Sequence, residues 1–298
     1  MNSQEMLVDE RSRNILSNKR VLANVMKAVI PEYQNLSISE IVELIEDGGD
    51  SRNVKGIQNE DIRVEGAKII YDVLFTAKLP NSEDSIGLYI DVESQNVVNP
   101  GYPLLKRAIY YSSRLIARQK NESFSGSDYG KLRKVYTIWI CFNPGKNSED
   151  TINHYCLSEE HLKGEYHEHK DNYDIPHIIM MNVGKKKTMD SSAFYDILDM
   201  FRIIFLEKTL LPECKIDILN ENFDIMFKKE DSTNMPIILE EWKIAGYQYG
   251  LEDGARNATV DNVLKLVETG MPVEEALSRL AVDDSTADLI LAKLNENK

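Results

Sequence analysis

The chain has 298 residues, of which 42% are hydrophobic and 28% are charged, a composition typical of a folded globular protein. Its 49 acidic and 35 basic residues give a net charge of −14, which argues against a protein that coats nucleic acid over its whole surface. Apolar runs fall well short of the ~20 residues of a membrane span. The first residues lack the pattern of a signal peptide, and the three cysteines are scattered, so we expect a cytoplasmic protein.

Hydrophobic periodicity predicts helices in the first part of the chain and strands from about residue 60. One helix ends at Pro31, and a second begins at Ser37, which forms a capping box with Glu40. The following elements are predicted in this order: strands 61–65, 68–77 and 86–95, helix 102–120, strand 135–142, strands 153–157 and 178–183, a long amphipathic helix 191–210, and short helices over 236–298. The order of the main elements is therefore helix, three strands, helix, strand, which indicates an α/β fold.

Carboxylates mark the second and third strands. Alternation places Asp91, Glu93 and Gln95 on one face of the third strand, and Asp72 stands between apolar same-face neighbours on the second. Asp72 and Glu93 are nearly symmetric about the turn at 80–85, so an antiparallel pair brings them together. Two carboxylates at close range favour a divalent cation, and oxygen ligands suit Mg²⁺ or Mn²⁺. A solvent-facing edge, with Lys68 or Arg63 as partners, explains the same spacing equally well.

A basic segment follows. Residues 101–134 contain eight basic and two acidic side chains in an otherwise acidic protein. Within it, Arg107, Tyr111, Arg114 and Arg118 share one helical face. Such a stripe suits a phosphodiester backbone, although a charge run is more often a solvated helix face.

Several stretches together resemble the PD-(D/E)XK nuclease superfamily, and more narrowly the PD-(D/E)XK nuclease family transposases, which are related to recombination-promoting nucleases. They are Leu16–Lys19, Asn59–Asp61, Glu65–Phe75, Ile90–Gln95, Ala108–Ile116 with Gln119, and Lys134–Ile140. The match covers roughly residues 10–250, and the order of the stretches carries it, because no single motif is specific. The resemblance implies a restriction-endonuclease-like core with helical N- and C-terminal additions.

The resemblance also implies roles for individual residues. Asp72 and Glu93 would be catalytic metal ligands, joined by the backbone carbonyl of Ser94, and the cofactor would be Mg²⁺ or Mn²⁺. Gln95 stands where the superfamily usually has lysine; the narrower group commonly has glutamine there. The implied function is a DNA endonuclease of a transposase or recombination-promoting type, with Arg107, Tyr111, Arg114 and Arg118 on the DNA backbone. The alternative is a weakly active or inactive nucleic-acid-binding module on the same scaffold.

We expect four segments: an N-terminal helical region (1–58), the nuclease-like core (59–185), a helical extension (186–252) and a short-helix tail (253–298). The tail resembles a small helix-turn-helix unit, but its third helix is acidic, which favours packing or self-association over DNA reading.

All five histidines lie within a short part of the core, with Cys156 among them. They are His154, His161, His167, His169 and His177. Their spacings match no structural zinc pattern, so a charged surface loop is the favoured interpretation.

Overall fold

The computed structural model describes residues 13–46, 52–54, 60–64, 67–70, 72–80, 88–95, 101–120, 122–142, 144–184, 195–207, 210–227, 259–280, 282, 286–287, 290–291 and 294. The chain divides into two compact units, Met1–Glu241 and Trp242–Lys298.

Among the described residues, the first unit combines eight strands with α-helices. The strands are β1 (Ile45–Glu46), β2 (Glu60–Val64), β3 (Ala67–Ile70), β4 (Val73–Ala77), β5 (Leu88–Gln95), β6 (Lys134–Phe142), β7 (Thr151–Cys156) and β8 (Pro176–Val183). The helices are α1 (Lys19–Val29), α2 (Ile38–Leu44), α3 (Leu104–Arg118), α4 (Ile197–Phe201) and α5 (Pro212–Phe223). The result is the mixed α/β architecture that the sequence predicts.

The main sheet has the strand order β1-β4-β5-β6-β8-β7. β4 and β5 are antiparallel, whereas β5, β6 and β8 run parallel, and α3 forms the crossover from β5 to β6. A parallel connection needs such a crossover, because a tight hairpin can join only antiparallel strands. This mixed sheet is compatible with a PD-(D/E)XK nuclease fold.

The predicted single strand 68–77 is wrong. β3 ends at Ile70 and pairs with β2 in a separate two-stranded sheet, while β4 begins at Val73 and pairs with β5. The backbone N–H of Asp72 donates to the Glu93 carboxylate at 3.1 Å. Asp72 therefore lies between the two strands, and one apolar run is divided between two sheets.

The two faces of the main sheet are covered by different helices. On one face, α3 packs against Leu74, Val135, Trp139 and other buried side chains. On the opposite face, Phe142 contacts Phe201 and Phe205, with ring centroids 6.5 and 5.0 Å apart. β6 is therefore buried on both faces, as expected for a central strand with parallel neighbours.

The predicted helix 191–210 is shorter in the structure. α4 begins at Ile197, because the side chain of Asp196 accepts from the backbone N–H of Asp199 at 2.9 Å. The helix continues as a π-helical turn over Arg202–Leu206. Residues 191–194 and 208–209 lie outside the described residues. Apolar residues continue at helical spacing past the cap at Asp196 and through the π-helical turn. Hydrophobic periodicity alone therefore locates neither end of the helix.

The capping box of Ser37 and Glu40 is present at the start of α2, as predicted. Within the described ranges, no helix combines the length and the apolarity needed to cross a bilayer.

In the second unit, α6 (259–268) and α7 (Val273–Arg279) are joined through Gly270, whose φ of 96° is readily adopted by glycine. The core of this unit is formed by Val260, Val263, Ala276 and Ile290. Self-association through these helices stays a prediction.

Candidate active site

Asp72 and Glu93 are neighbours across β4 and β5. The register pairs Val73 with Val92, so Asp72 comes directly before β4, opposite Glu93. The 3.1 Å hydrogen bond from the Asp72 N–H to Glu93 Oε1 fixes this arrangement. The side chain of Asp72 is 21% exposed, whereas Glu93 is 3% exposed. One carboxylate is thus buried beside another that reaches solvent.

Among the described residues, Arg13 places a cation next to this pair. Its Nε lies 3.6 Å from Asp72 Oδ1, and the side chain comes from a helical turn over residues 13–16. A buried carboxylate is costly unless its charge is compensated. The Asp72 N–H offsets the charge of Glu93, and Arg13 offsets that of Asp72. Sequence reasoning missed Arg13, because no local pattern connects position 13 with position 72.

Ser94 and Gln95 complete the end of β5. Ser94 is in register with Ile140 and Gln95 with Cys141. Gln95 follows Glu93 by two residues, so its Cα takes the same side of the pleat. The side chains of Ser94 and Gln95 lie outside the described residues. Burial raises the pKa of Cys141 to about 12, so this neighbouring thiol is neutral and is not a nucleophile.

The donor set fits a hard divalent cation. Asp72 and Glu93 offer carboxylate oxygens, and the backbone of Ser94 offers a carbonyl oxygen in the same strand. Mg²⁺ and Mn²⁺ prefer such ligands. The adjacent charges of Asp72 and Glu93 give a cation a favourable electrostatic environment, as the proximity of Arg13 to Asp72 illustrates.

The first half of α3 lies over the same face of the sheet. Trp139 is the register partner of Glu93, and its ring packs edge-on against Tyr111, with centroids 5.4 Å apart. The Arg107 guanidinium lies 5.0 Å from the Tyr111 ring centre and 5.3 Å from that of Trp139. Arg107 also donates to the Tyr111 hydroxyl at 2.8 Å. The structure thus brings Arg107 and Tyr111 to the side of the sheet on which Glu93 lies.

Arg114 and Arg118 have different surroundings from Arg107. Arg114 is 6% exposed and donates to the Tyr110 hydroxyl at 3.0 Å, while Arg118 is 4% exposed and pairs with Glu122 at 3.0 Å. Arg107 is only half-buried. The arginines of the predicted stripe therefore differ in exposure. Arg107 can reach a ligand from its present position, whereas Arg114 and Arg118 are buried.

The histidines separate into two groups that the sequence does not distinguish. His154 and His177 belong to β7 and β8, where His154 Nε2 lies 2.9 Å from His177 Nδ1. Burial lowers the pKa of both rings, although the nearby Asp174 opposes the shift. Tyr136 stacks on His177 with centroids 4.4 Å apart, on the opposite face of the sheet from α3. The other three histidines lie in the segment that connects β7 to β8.

A mixed sheet with paired carboxylates at the junction of β4 and β5 is an arrangement compatible with a nuclease of the PD-(D/E)XK type. Residues 64–201 match the family model described as PD-(D/E)XK nuclease family transposase. No curated protein and no solved structure matches the chain. The family indicates a nuclease or transposase type of function with DNA as the substrate, and PD-(D/E)XK nucleases typically use divalent metal ions.

Proposed function

We propose that this protein is a metal-dependent DNA endonuclease that hydrolyses phosphodiester bonds in a transposition or recombination process. The observation that carries the proposal is the contact between Asp72 and Glu93 within the family segment. Arg107, fixed over the Trp139 ring on the same side of the sheet, gives the site a positive group for a phosphate.

In this proposal Asp72, Glu93 and the carbonyl of Ser94 hold Mg²⁺ or Mn²⁺. When bound, such an ion polarises a phosphoryl oxygen and lowers the pKa of a coordinated water. Glu93 is held in place by the Asp72 N–H, so its carboxylate is oriented before any substrate arrives. Gln95 orients the attacking water through its amide, and Arg107 holds a backbone phosphate. Arg13 limits the negative charge that an incoming phosphate meets at Asp72.

A plasmid-nicking assay in Mg²⁺ and in Mn²⁺ tests the proposal. Asp72→Asn and Glu93→Gln remove one charge each with little change of shape, and each should lower the cleavage rate by about 100-fold or more. Glu43→Gln, at an exposed position of α2, is the matched control and should cleave like the wild type. If Asp72→Asn cleaves normally at saturating metal, the activity does not arise from this site.

Gln95 supports a second candidate, a DNA-binding module without catalysis. A neutral amide cannot offset the charge that develops on the phosphorus, as the lysine of the superfamily signature can. This candidate predicts that the wild type binds DNA with a steep salt dependence but cleaves it with none of the divalent metals.

A further inference from the structure

The segment between β7 and β8 brings together three side chains that suit a transition metal. The carboxylate of Glu159 and the imidazoles of His161 and His167 each present a ligand atom, and these atoms all lie within 4.8 Å of one another. Glu159 Oε2 is 3.2 Å from His161 Nε2 and 3.8 Å from His167 Nδ1. The two imidazole rings meet edge-on, with centroids 4.4 Å apart.

The two distances from Glu159 Oε2, 3.2 and 3.8 Å, are close to those between ligand atoms of a tetrahedral zinc site. Zinc binds imidazole nitrogen and carboxylate oxygen at about 2.0–2.2 Å, so neighbouring ligand atoms are about 3.3–3.6 Å apart. Because all three ligand atoms lie within 4.8 Å of one another, shifts of up to about one ångström in these exposed side chains would bring them to tetrahedral spacing. A set of two histidines and one carboxylate leaves a coordination position for water or another ligand.

The carboxylate of Glu159 is already oriented by the chain. Its other oxygen, Oε1, accepts from the backbone N–H of Glu168 at 3.0 Å. Glu168 in turn accepts from Asn172 Nδ2 at 2.7 Å and from the Tyr166 hydroxyl at 3.1 Å. Partners of this kind, behind a ligand, fix its orientation and raise metal affinity. The segment thus holds Oε2 towards the two histidines.

The three residues line a groove of about 850 Å³, which also contains His154, His177 and Cys156. His177 follows Pro176 in β8 and stacks on Tyr136, so the groove lies at the face of the sheet opposite α3. The groove is therefore separate from the Asp72–Glu93 pair, which lies on the α3 face.

We propose that Glu159, His161 and His167 bind one Zn²⁺ ion, and that this site joins the middle of the β7–β8 connection to the end nearest β7, independently of the nuclease site. Two imidazole ligands favour a transition metal over Mg²⁺, which prefers oxygen donors. The two sites are therefore distinguished by their metal preference.

Metal titration of the full chain tests the site directly. In excess Mg²⁺, which occupies oxygen-only sites, Zn²⁺ should bind with a stoichiometry of one by calorimetry. Co²⁺ should give the visible d–d absorption of a four- or five-coordinate ion. His161→Ala and His167→Ala should each weaken binding by about 100-fold, since even loss of a group behind a ligand costs 10–100-fold. These side chains are exposed, so circular dichroism should show an unchanged fold.

Two variants serve as controls. His169→Ala removes a histidine of the same segment that pairs with Asp171 at 3.5 Å and lies outside the ligand set, and it should bind like the wild type. Cys156→Ser removes the thiol in the groove and should also bind like the wild type, whereas loss of Zn²⁺ binding in this variant would overturn the proposed ligand set. The proposal is overturned if the wild type binds no Zn²⁺ in excess Mg²⁺. Glu159, His161 and His167 would then form only surface ion pairs. It is also overturned if His161→Ala/His167→Ala retains wild-type affinity. Neither outcome depends on DNA cleavage, so failure here leaves the nuclease proposal untouched.

Discussion

The guanidinium of Arg107 lies 5.3 Å from the centre of the Trp139 ring, and Trp139 is the register partner of Glu93. This contact therefore connects the first half of α3 to β6, the strand that pairs with β5 beside Glu93. A guanidinium held over an aromatic ring loses little further freedom when it meets a phosphate, which favours binding.

This contact makes Arg107 the residue whose loss should most affect DNA binding. Arg107→Ala should weaken binding and lower the slope of log affinity against log salt by about 0.9, the value for one phosphate contact. Fluorescence anisotropy across a salt series measures both quantities. Lys106→Ala, which removes an exposed neighbouring charge on the same helix, should change the slope less. An unchanged slope in Arg107→Ala would remove this residue from the interface.

Arg13 provides a second prediction. Because its Nε lies 3.6 Å from Asp72 Oδ1, Arg13→Gln should slow cleavage more than Arg13→Lys, which keeps the charge. Without the cation the site is more negative, so the metal should bind more tightly while the phosphate is repelled. Cleavage rates measured across a metal titration separate these effects. Equal rates for both variants would mean that the charge of Arg13 has no part in the reaction.

The sequence predicts much of the fold near the site. Alternation in β5 and the near symmetry of positions 72 and 93 predict their juxtaposition, because both features depend only on local strand geometry. The strand break at Asp72 is not predictable in this way, since the two halves of the run pair with different strands, β2 and β5. The Arg13 contact and the meeting of Glu159 with His161 and His167 are also tertiary, and periodicity carries no information about them.

The basic stripe shows the same limit. Helical spacing places Arg107, Arg114 and Arg118 on one face, and α3 is present close to its predicted bounds. Spacing does not reveal that Arg118 is buried against Glu122 or that Arg114 stacks on Tyr110. Which arginine can reach a ligand is decided by packing around the helix.

The buried ring of His177 predicts how stability depends on pH. Burial lowers the pKa of His177 in the folded protein below its unfolded value of about 6.5, and Asp174 opposes this only in part. The unfolded chain therefore binds more protons between these two values. The stability contributed by His177 is present above about pH 6.5 and is lost as the pH falls towards the folded pKa.

Urea unfolding at a series of pH values from 7.5 to ~5.5 checks this prediction. His177→Gln should lose less stability over this range than the wild type does, and His169→Gln, which changes an exposed ring, should behave like the wild type. The pKa of Asp174 is lowered mainly by Lys134 against the opposing effect of burial, so its contribution is lost at more acidic pH and does not interfere. If the free energy of unfolding changed with pH in the same way for the wild type and for His177→Gln, His177 would not be the source of the pH dependence.

Arg202 is expected to be important for stability. It is 5% exposed, donates to the Gly184 carbonyl at 2.9 Å and pairs with Asp199, which is itself 2% exposed. Arg202→Leu leaves a buried carboxylate without its cation and should reduce the free energy of unfolding by about 3 kcal/mol or more. Arg202→Leu/Asp199→Asn removes the charge as well and should recover part of the loss. If the double variant is no more stable than Arg202→Leu, burial of the Asp199 charge is not the cause.

Gln95 gives the prediction that best separates catalysis from binding. Its backbone follows Glu93 in β5, in register with the neutral thiol of Cys141. If the metal held by Asp72 and Glu93 stabilises most of the developing charge, Gln95 need only orient a water, and Gln95→Lys should keep or raise the cleavage rate. An added cation can contribute a few kcal/mol at a phosphorane, yet it also repels the metal. The rate at saturating metal should therefore hold or rise while the metal concentration needed for half-maximal rate increases. Gln95→Leu, which cannot hydrogen-bond to water, should be slower than the wild type under all conditions. If the wild type and Gln95→Lys both bind DNA but neither cleaves it with any metal, the protein is a DNA-binding module.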